Sequence, residues 1–222
     1  MIAARPLAIV AVLAACFWSA LHAADFVVEL SEKVLASAEK KYGGPARERL
    51  VAWVKLIADN KKKPEPDKLR LVNEFFNKTP FVSDAENWGM PDYWATPTEM
   101  LARNAGDCED YSIGKYFSLL ALGVNIDKLR ITYVKARNLP PADQAHMVLT
   151  YYAKPDAVPL VLDNLVPEIK PASERADLTP VYSFNGDGLW LAKERGSGRV
   201  EGGSAKISLW TQLNARMGKE FD

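Results

Sequence analysis

The sequence predicts an α+β fold in which helices come first and an antiparallel sheet follows. Apolar residues recur at helical spacing through the first half of the chain, and the last such segment ends at Leu122. After Gly123 apolar and polar residues alternate, as they do along half-buried strands. The run Asn185-Gly186-Asp187-Gly188 then separates two apolar segments and is typical of a β-hairpin turn. With 222 residues, 48% of them hydrophobic, the chain is long enough to bury one large core.

Glycine and proline residues divide this pattern into elements. Gly43-Gly44-Pro45 ends the first helix and opens the second, because proline suits the first helical turn. The predicted helices cover residues 31–41, residues 45 to the break at 61–64, and residues 67–77, 96–104, 107–122 and 207–216, with an irregular aromatic segment at 81–94. The predicted strands cover residues 129–136, 146–152, 160–163, 181–184 and 189–192, with loops at 138–144 and 196–203.

Cys108 lies at the start of the fifth predicted helix. Asp107 is a favourable N-cap, Asp110 takes the second position of a capping box, and Gly123 ends the helix. A thiol at a helix N-terminus meets the positive end of the dipole and unpaired backbone N–H groups, which both favour the thiolate. The alternative is an inert core cysteine on an apolar helix.

The N-terminus resembles a secretory signal peptide. Arg5 precedes a short apolar run at 7–15, and small residues follow as far as Ala24. We expect residues 1–23 to be removed and residues 24–222 to form one domain. Leu13-Ala14-Ala15-Cys16 also resembles a lipobox, which would leave a lipid anchor on Cys16. In either case Cys108 is the only thiol of the exported domain, which favours a functional role.

The net charge bears on the kind of partner that the chain binds. Lysine plus arginine and aspartate plus glutamate both number 28, so the net charge is zero. Electrostatics therefore gives no support for binding to nucleic acid or to an anionic membrane.

His146 and Asp163 complete a candidate catalytic set with Cys108. His22 leaves with the predicted signal peptide, so His146 is the only histidine of the predicted domain, and it opens a strand. Asp163 closes the next strand. If the two strands are antiparallel neighbours, Asp163 lies beside His146 and accepts a hydrogen bond from Nδ1–H. A thiol, an imidazole and a carboxylate then suit acyl transfer. The alternatives are a hydrogen-bonded histidine at a strand edge and an aspartate that forms a turn.

Three motifs resemble the bacterial transglutaminase-like cysteine proteinases of the LapG type. They are Trp-Gly-x-Pro-Asp-Tyr-Trp-x-Thr-Pro at 88–97, Gly-Asp-Cys-Glu-Asp-Tyr at 106–111 and His-Met-Val-Leu at 146–149. The resemblance extends over roughly residues 70–192. It implies a papain-like fold, with an N-terminal helical lobe and a catalytic cysteine at a helix N-terminus packed on the sheet.

The resemblance also implies a function. Members of the family are periplasmic, calcium-dependent endopeptidases. They cut the N-terminal region of a large surface adhesin, typically at a di-alanine site, and so release it and promote biofilm dispersal. An inner-membrane receptor for cyclic di-GMP sequesters them. The corresponding catalytic residues here are Cys108, His146 and Asp163.

The acidic residues around the thiol support the calcium requirement independently. Asp107, Glu109 and Asp110 place three carboxylates beside Cys108, where their field raises the thiol pKa. A bound Ca²⁺ takes oxygen ligands and reverses the local charge. The family's ligands correspond to Asp107 and Glu109, and Asp110 is either a third ligand or the helix cap. The alternative is three solvated acids at a helix N-terminus.

Two other functions compete with the endopeptidase. The same triad serves a transglutaminase-like acyltransferase, in which an amine instead of water accepts the acyl group. A non-catalytic peptide-binding module would use the aromatic residues Trp88, Tyr93 and Trp94 to hold a partner. At least one of these tryptophans is expected to be a core residue.

Overall fold

The computed structural model describes residue 28 and residues 30–137, 144–192 and 203–220, with side chains through residue 217. The predicted signal peptide, Cys16 and His22 lie outside the described residues, as do most of the predicted loops at 138–144 and 196–203. Among the described residues, no helix has both the length and the apolar character needed to cross a bilayer.

Helices form the first half of the described chain, as the periodicity predicts. Ser31 caps the first helix through its side chain, and a proline lies in the first turn of the second. The helices are α1 Glu32–Tyr42, α2 Gly44–Asn60, α3 Glu65–Phe76, α4 Asp84–Asn87, α5 Pro97–Arg103, α6 Cys108–Ala121 and, near the C-terminus, α7 Ser208–Glu220.

The strands form one antiparallel sheet in the order β4-β3-β2-β1-β5-β6. Strand β2 pairs with β3 in a register that sets Leu149 opposite Leu162, so Asp163 follows directly after the paired segment. The prediction that these two strands are antiparallel neighbours is therefore confirmed. The strands are β1 Leu129–Ala136, β2 Gln144–Tyr151, β3 Leu160–Leu162, β4 Lys170–Pro171, β5 Leu178–Phe184 and β6 Leu189–Leu191.

Helix α6 lies across one face of the sheet and connects the helical lobe to it. It packs against β2, and its side chains Ile113 and Leu119 are fully buried with Leu149 of that strand. Asp107 is its N-cap, with the capping-box partner Asp110, as the sequence predicts. The α+β expectation and the placement of Cys108 in the first turn of this helix are thus confirmed.

Three differences from the predicted elements have physical reasons. The short helix α4 and the two-residue strand β4 give no periodic signal, so the sequence misses them. His146 is the third residue of β2, not its first. Strand β5 begins three residues earlier than predicted and contains Pro180, which lies where the pairing with β1 shifts register. Proline is tolerated at such an irregularity because a ladder hydrogen bond is already lost there.

Gly114 allows α6 to pack closely on α3. A Cβ atom at this position would lie 2.3 Å from Cε1 of Phe76, a ring that is fully buried. Gly114→Ala improves helix propensity by about 1 kcal/mol, whereas overpacking a core costs about 1–3 kcal/mol. We expect the variant to lower the free energy of unfolding, by up to about 2 kcal/mol after the gain in propensity is subtracted.

Urea denaturation of Gly114→Ala measures this directly. Gly44→Ala in α2 is the matched control, since a Cβ there meets no atom within 4 Å. It is expected to be neutral or slightly stabilising. Equal stability of the two variants would contradict the close approach of α3 and α6.

Candidate active site

A cavity of about 600 Å³ lies at the start of α6, and four of the six candidate site residues line it: Asp107, Cys108, Glu109 and His146. Cys108 contributes from the first turn of the helix and His146 from the neighbouring strand β2. The start of α7 and the residue before it form another part of its wall, through Leu209 and Ile207. The cavity is therefore a cleft between the helical lobe, the sheet and the C-terminal helix.

His146 and Asp163 form a buried pair. The His146 Nε2 atom lies 2.8 Å from Oδ1 of Asp163, and the two side chains are 3% and 0% exposed. The same carboxylate accepts hydrogen bonds from the Leu165 backbone N–H at 3.0 Å and from Arg175 Nη2 at 2.7 Å. Burial alone would raise the pKa of Asp163, but the hydrogen bond and charge of His146, followed by the other donors, lower the pKa to about 2.

The protonation state of Asp163 decides the tautomer of His146. Because the carboxylate is ionised above pH 2, Nε2 must carry the hydrogen and donate it, which leaves Nδ1 as the basic nitrogen. The expected hydrogen bond from Nδ1–H is therefore wrong, and the bond is made by Nε2. A sequence that brings two residues together does not determine which way an imidazole ring is turned.

Cys108 is held in a setting that favours its protonated form. Its Sγ lies 2.9 Å from Oε2 of Glu109, which accepts the thiol hydrogen. Burial, followed by the negative charges of Glu109 and Asp107, raises the thiol pKa well above its ordinary value. The backbone N–H of Met147 opposes this shift by hydrogen bonding to the sulfur. The direction agrees with the expectation from the acidic neighbours, but the largest cause is burial.

Acidic side chains converge beside the thiol in two groups that share Asp84. Carboxylate oxygens of Asp84, Asp107 and Asp110 lie within 4.8 Å of one another, and so do those of Asp84, Asp92 and Glu109. All three sequence-predicted ligands thus belong to one acidic cluster. Asp84 and Asp92 are additions. The sequence carries no signal for Asp84, because it lies 23 residues before Asp107 on the unpredicted helix α4.

The oxygens of this acidic cluster fit a hard cation. Oδ1 of Asp84 and Oδ1 of Asp107 are buried and have no hydrogen-bond partner among the described residues. Burial, with the charges of neighbouring carboxylates, raises the pKa of Asp84 to about 6 and that of Asp107 to about 8. Buried carboxylate oxygens without donors are suitable ligands for calcium, which prefers six to eight oxygens.

Asp110 has a structural role within the cluster. Its Oδ1 accepts a hydrogen bond from the Ala95 backbone N–H at 2.7 Å, and its Oδ2 accepts one from the Asp107 N–H at 3.3 Å. Both oxygens therefore have backbone donors, and the carboxylate joins the start of α6 to the segment before α5. The helix-cap alternative for Asp110 is supported by these contacts.

The three aromatic residues of the 88–97 motif differ in exposure. Trp94 is 5% exposed, which confirms that at least one tryptophan belongs to the core. Trp88 and Tyr93 are half-buried and pack on each other with ring centroids 4.5 Å apart. The guanidinium of Arg103 covers Trp88, and that of Arg216 covers Tyr93. None of the three rings is fully exposed, and the exposed part of the segment is residues 89–92, which include Met90.

Comparison with known proteins assigns the family. The model of the bacterial transglutaminase-like cysteine proteinases matches residues 54–181 of the chain. The chain belongs to this family. The comparison with curated proteins gave no match. The similarity of this cysteine proteinase to known proteins extends to solved structures.

Three solved structures of Legionella pneumophila LapG are similar to this proteinase over most of its length. One is 44% identical, with a TM-score of 0.72, and the match covers 86% of this chain and 98% of that chain. The EGTA-treated form has the same identity and coverage, with a TM-score of 0.75. The calcium-bound form is 46% identical over 84% of this chain and 98% of that one, with a TM-score of 0.71.

The pKa shifts predict how the stability of the proteinase depends on pH when no metal is bound. Asp84 and Asp107 have folded-state pKa values of about 6 and about 8, above their ordinary value of 3.8. The folded state therefore binds more protons than the unfolded chain between pH 4 and 8, and stability falls as pH rises through this window. Asp163 acts in the opposite sense, because its lowered pKa stabilises the fold above pH 4 and this contribution is lost towards pH 2.

Thermal unfolding of calcium-stripped protein at pH 5 and pH 8 tests this prediction. We expect the lower Tm at pH 8 and a larger rise in Tm on adding calcium at pH 8 than at pH 5. Asp84→Asn should reduce the difference between the Tm at pH 5 and the Tm at pH 8 in calcium-stripped protein. A calcium-stripped Tm that increases from pH 5 to pH 8 would contradict the assignment of raised carboxyl pKa values.

Proposed function

We propose that this proteinase is a calcium-dependent endopeptidase with the catalytic triad Cys108, His146 and Asp163. The observation that carries the proposal is the buried hydrogen bond between His146 and Asp163. His146 also lines the cleft that contains Cys108. Membership of a cysteine proteinase family supports Cys108 as the nucleophile. A peptide-binding module without catalysis would have no use for an oriented imidazole in the same cleft as a half-buried thiol.

In the proposed mechanism each side chain takes one step. Nδ1 of His146 takes the proton of the Cys108 thiol, and the sulfur attacks the carbonyl carbon of the scissile peptide bond. The backbone N–H of Cys108 at the start of α6 stabilises the oxyanion. The imidazolium then gives the proton to the departing amine, and a thioester with Cys108 remains. Water, deprotonated by His146, hydrolyses the thioester and restores the thiol.

Asp163 keeps the imidazole in the productive state during these steps. It accepts Nε2–H throughout, so the opposite nitrogen is free to exchange protons with sulfur. As an ionised group it also stabilises the imidazolium. It remains ionised through the cycle because its own pKa is low.

We further propose that calcium binds in the acidic cluster, held by Asp84, Asp107 and Glu109. When bound, it supplies positive charge that offsets the carboxylates around the thiol. Glu109, as a calcium ligand, would no longer be available to accept the hydrogen bond of the Cys108 thiol. The calcium-bound structure of a relative supports the choice of metal, and the buried oxygens of Asp84 and Asp107 without donors support the place.

The natural substrate and setting follow from the resemblance in the sequence. We propose that the proteinase acts in the periplasm, reached through the signal sequence at residues 1–23 or tethered there by a lipid on Cys16. Its substrate is the N-terminal region of a large repeat-containing surface adhesin, cut at a di-alanine site to release the adhesin. An inner-membrane receptor that binds cyclic di-GMP holds it inactive when the nucleotide is abundant.

Cleavage of a defined substrate tests the proposal. The purified chain is incubated with the N-terminal fragment of such an adhesin from the same genome, in calcium and in chelator. We expect two fragments, in calcium only, with a new N-terminus within the di-alanine site. Products that carry an added amine in place of a free carboxylate would instead favour the acyltransferase. An uncut fragment in calcium would reject the adhesin as substrate.

A further inference from the structure

Arg175 contacts the active-site carboxylate from the side opposite to His146. Its Nη2 donates to Oδ2 of Asp163 at 2.7 Å, while Oδ1 accepts from His146. The side chains of Arg175 and Asp163 are 3% and 0% exposed. A carboxylate held at both oxygens cannot rotate about its Cβ–Cγ bond without breaking one of the two contacts.

Asp177 fixes the guanidinium in turn. Nε of Arg175 lies 2.9 Å from Oδ1 of Asp177, and Nη2 lies 2.7 Å from Oδ2. This paired arrangement is the strong, directional form of an arginine–carboxylate contact. The backbone N–H of Arg175 also donates to the carbonyl oxygen of Ala172. The guanidinium therefore reaches Asp163 from a fixed position.

The charges of the four side chains His146, Asp163, Arg175 and Asp177 balance when the imidazole of His146 is protonated. Asp163, Asp177 and Arg175 sum to one negative charge, which the imidazolium of His146 neutralises. Lys115 of α6 also interacts electrostatically with Asp163, and burial lowers the pKa of Lys115 to about 7. Removing the guanidinium would leave Asp163 with one side-chain donor fewer in a buried setting, where an unpaired charge is strongly disfavoured.

We propose that Arg175 is a positioning residue of the active site, which fixes the Asp163 carboxylate and through it the ring of His146. Its guanidinium donates to Asp163 and Asp177. Its effect is to keep the Nε2–H of His146 bonded to Asp163, so that Nδ1 stays directed towards the cleft, where it serves as the proposed base. The activity arm of its test rests on the proposed function, but the orientation of His146 is measurable without any substrate.

The variants separate charge, shape and position. Arg175→Met keeps the length of the side chain without donors, and Arg175→Lys keeps the charge without the planar fork. Asp177→Asn loosens the guanidinium without touching Asp163. Arg130→Ala is the matched control, because that guanidinium stacks on the rings of Trp190 and Tyr152.

The first readout is the Nε2–H signal of His146 in protein labelled with ¹⁵N-histidine. The chain has two histidines, and His146→Gln assigns the signals. We expect a hydrogen-bonded, slowly exchanging Nε2–H in the unmodified chain and in Arg130→Ala. It should be lost or exchange rapidly in Arg175→Met, and be intermediate in Arg175→Lys and Asp177→Asn.

The second readout is kinetics on a peptide that spans the di-alanine site. We expect kcat to fall about 100-fold in Arg175→Met, as for a displacement of about 1 Å at a catalytic group, with KM changed less than about twofold. Arg175→Lys should recover part of the loss. Methylguanidine should restore part of kcat in Arg175→Ala. Arg175 lines a cavity of about 310 Å³ on the face of the sheet opposite α6, and this cavity gives methylguanidine room to enter.

The outcomes are distinguishable. An unchanged Nε2–H signal and kcat in a folded Arg175→Met protein would overturn the proposal. Should that variant fail to fold, an unchanged Nε2–H signal in Asp177→Asn would overturn it instead, and the expected weakening would support it. If the unmodified chain cuts no peptide, the proposed function fails, and the Nε2–H signal still decides the role of Arg175.

Discussion

Replacing His146 by alanine is expected to lower kcat by about 10⁴-fold or more, because proton transfer to and from sulfur is lost. His146 alone among the described residues combines a ring in the cleft with a bond to Asp163. The variant leaves Asp163 bonded to Arg175 and Leu165, so the fold should persist. The measurement is single-turnover cleavage of the adhesin fragment in calcium.

Asp163→Asn is the companion variant. It keeps the shape of the side chain but removes the charge that supports the imidazolium, so the rate should fall more than the stability does. Circular dichroism and the midpoint of thermal unfolding serve as the folding controls for both variants. Full activity of His146→Ala would show that a different base serves Cys108.

Removing calcium is expected to suppress proteolysis and also to slow the alkylation of Cys108 by iodoacetamide near neutral pH. Burial and Glu109 raise the thiol pKa when no cation offsets the carboxylates, so the thiolate fraction is small. Asp84→Asn and Asp107→Asn should weaken calcium binding, measured by calorimetry. Asp59→Asn is the control, since that carboxylate is exposed and paired with Lys55 on α2.

The two readouts separate two roles of the metal. If chelator stops proteolysis but leaves alkylation unchanged, calcium shapes the cleft and does not tune the nucleophile. If neither changes and no calcium binds, the acidic cluster is only a helix cap. Magnesium and zinc should replace calcium poorly, because magnesium requires a tight octahedron and zinc prefers nitrogen and sulfur ligands.

Local signals in the sequence predict much of this active site. Asp107 and Asp110 predict the start of α6, and Gly123 predicts its end. The start places Cys108 in the first turn. The pairing of His146 with Asp163 follows from two short strands joined as antiparallel neighbours. Each of these features depends on residues near one another in the chain or on a short connection.

The remaining features depend on packing between distant segments. Asp84 joins the acidic cluster because the segment before α5 folds back onto the start of α6, where the Asp84 N–H donates to Asp107. Arg175 reaches Asp163 from a turn that carries no motif. The ring orientation of His146 and the burial of Trp94 likewise follow from side-chain packing, which periodicity does not specify.

Cys108→Ala removes the proposed nucleophile and leaves the rest of the active site in place. The unmodified chain and the variant are incubated with the adhesin fragment in calcium, at equal concentration and after equal folding is shown by thermal unfolding. We expect complete loss of the cut product in the variant, because no other described side chain in the cleft offers a thiol. Normal cleavage by Cys108→Ala would contradict a cysteine endopeptidase.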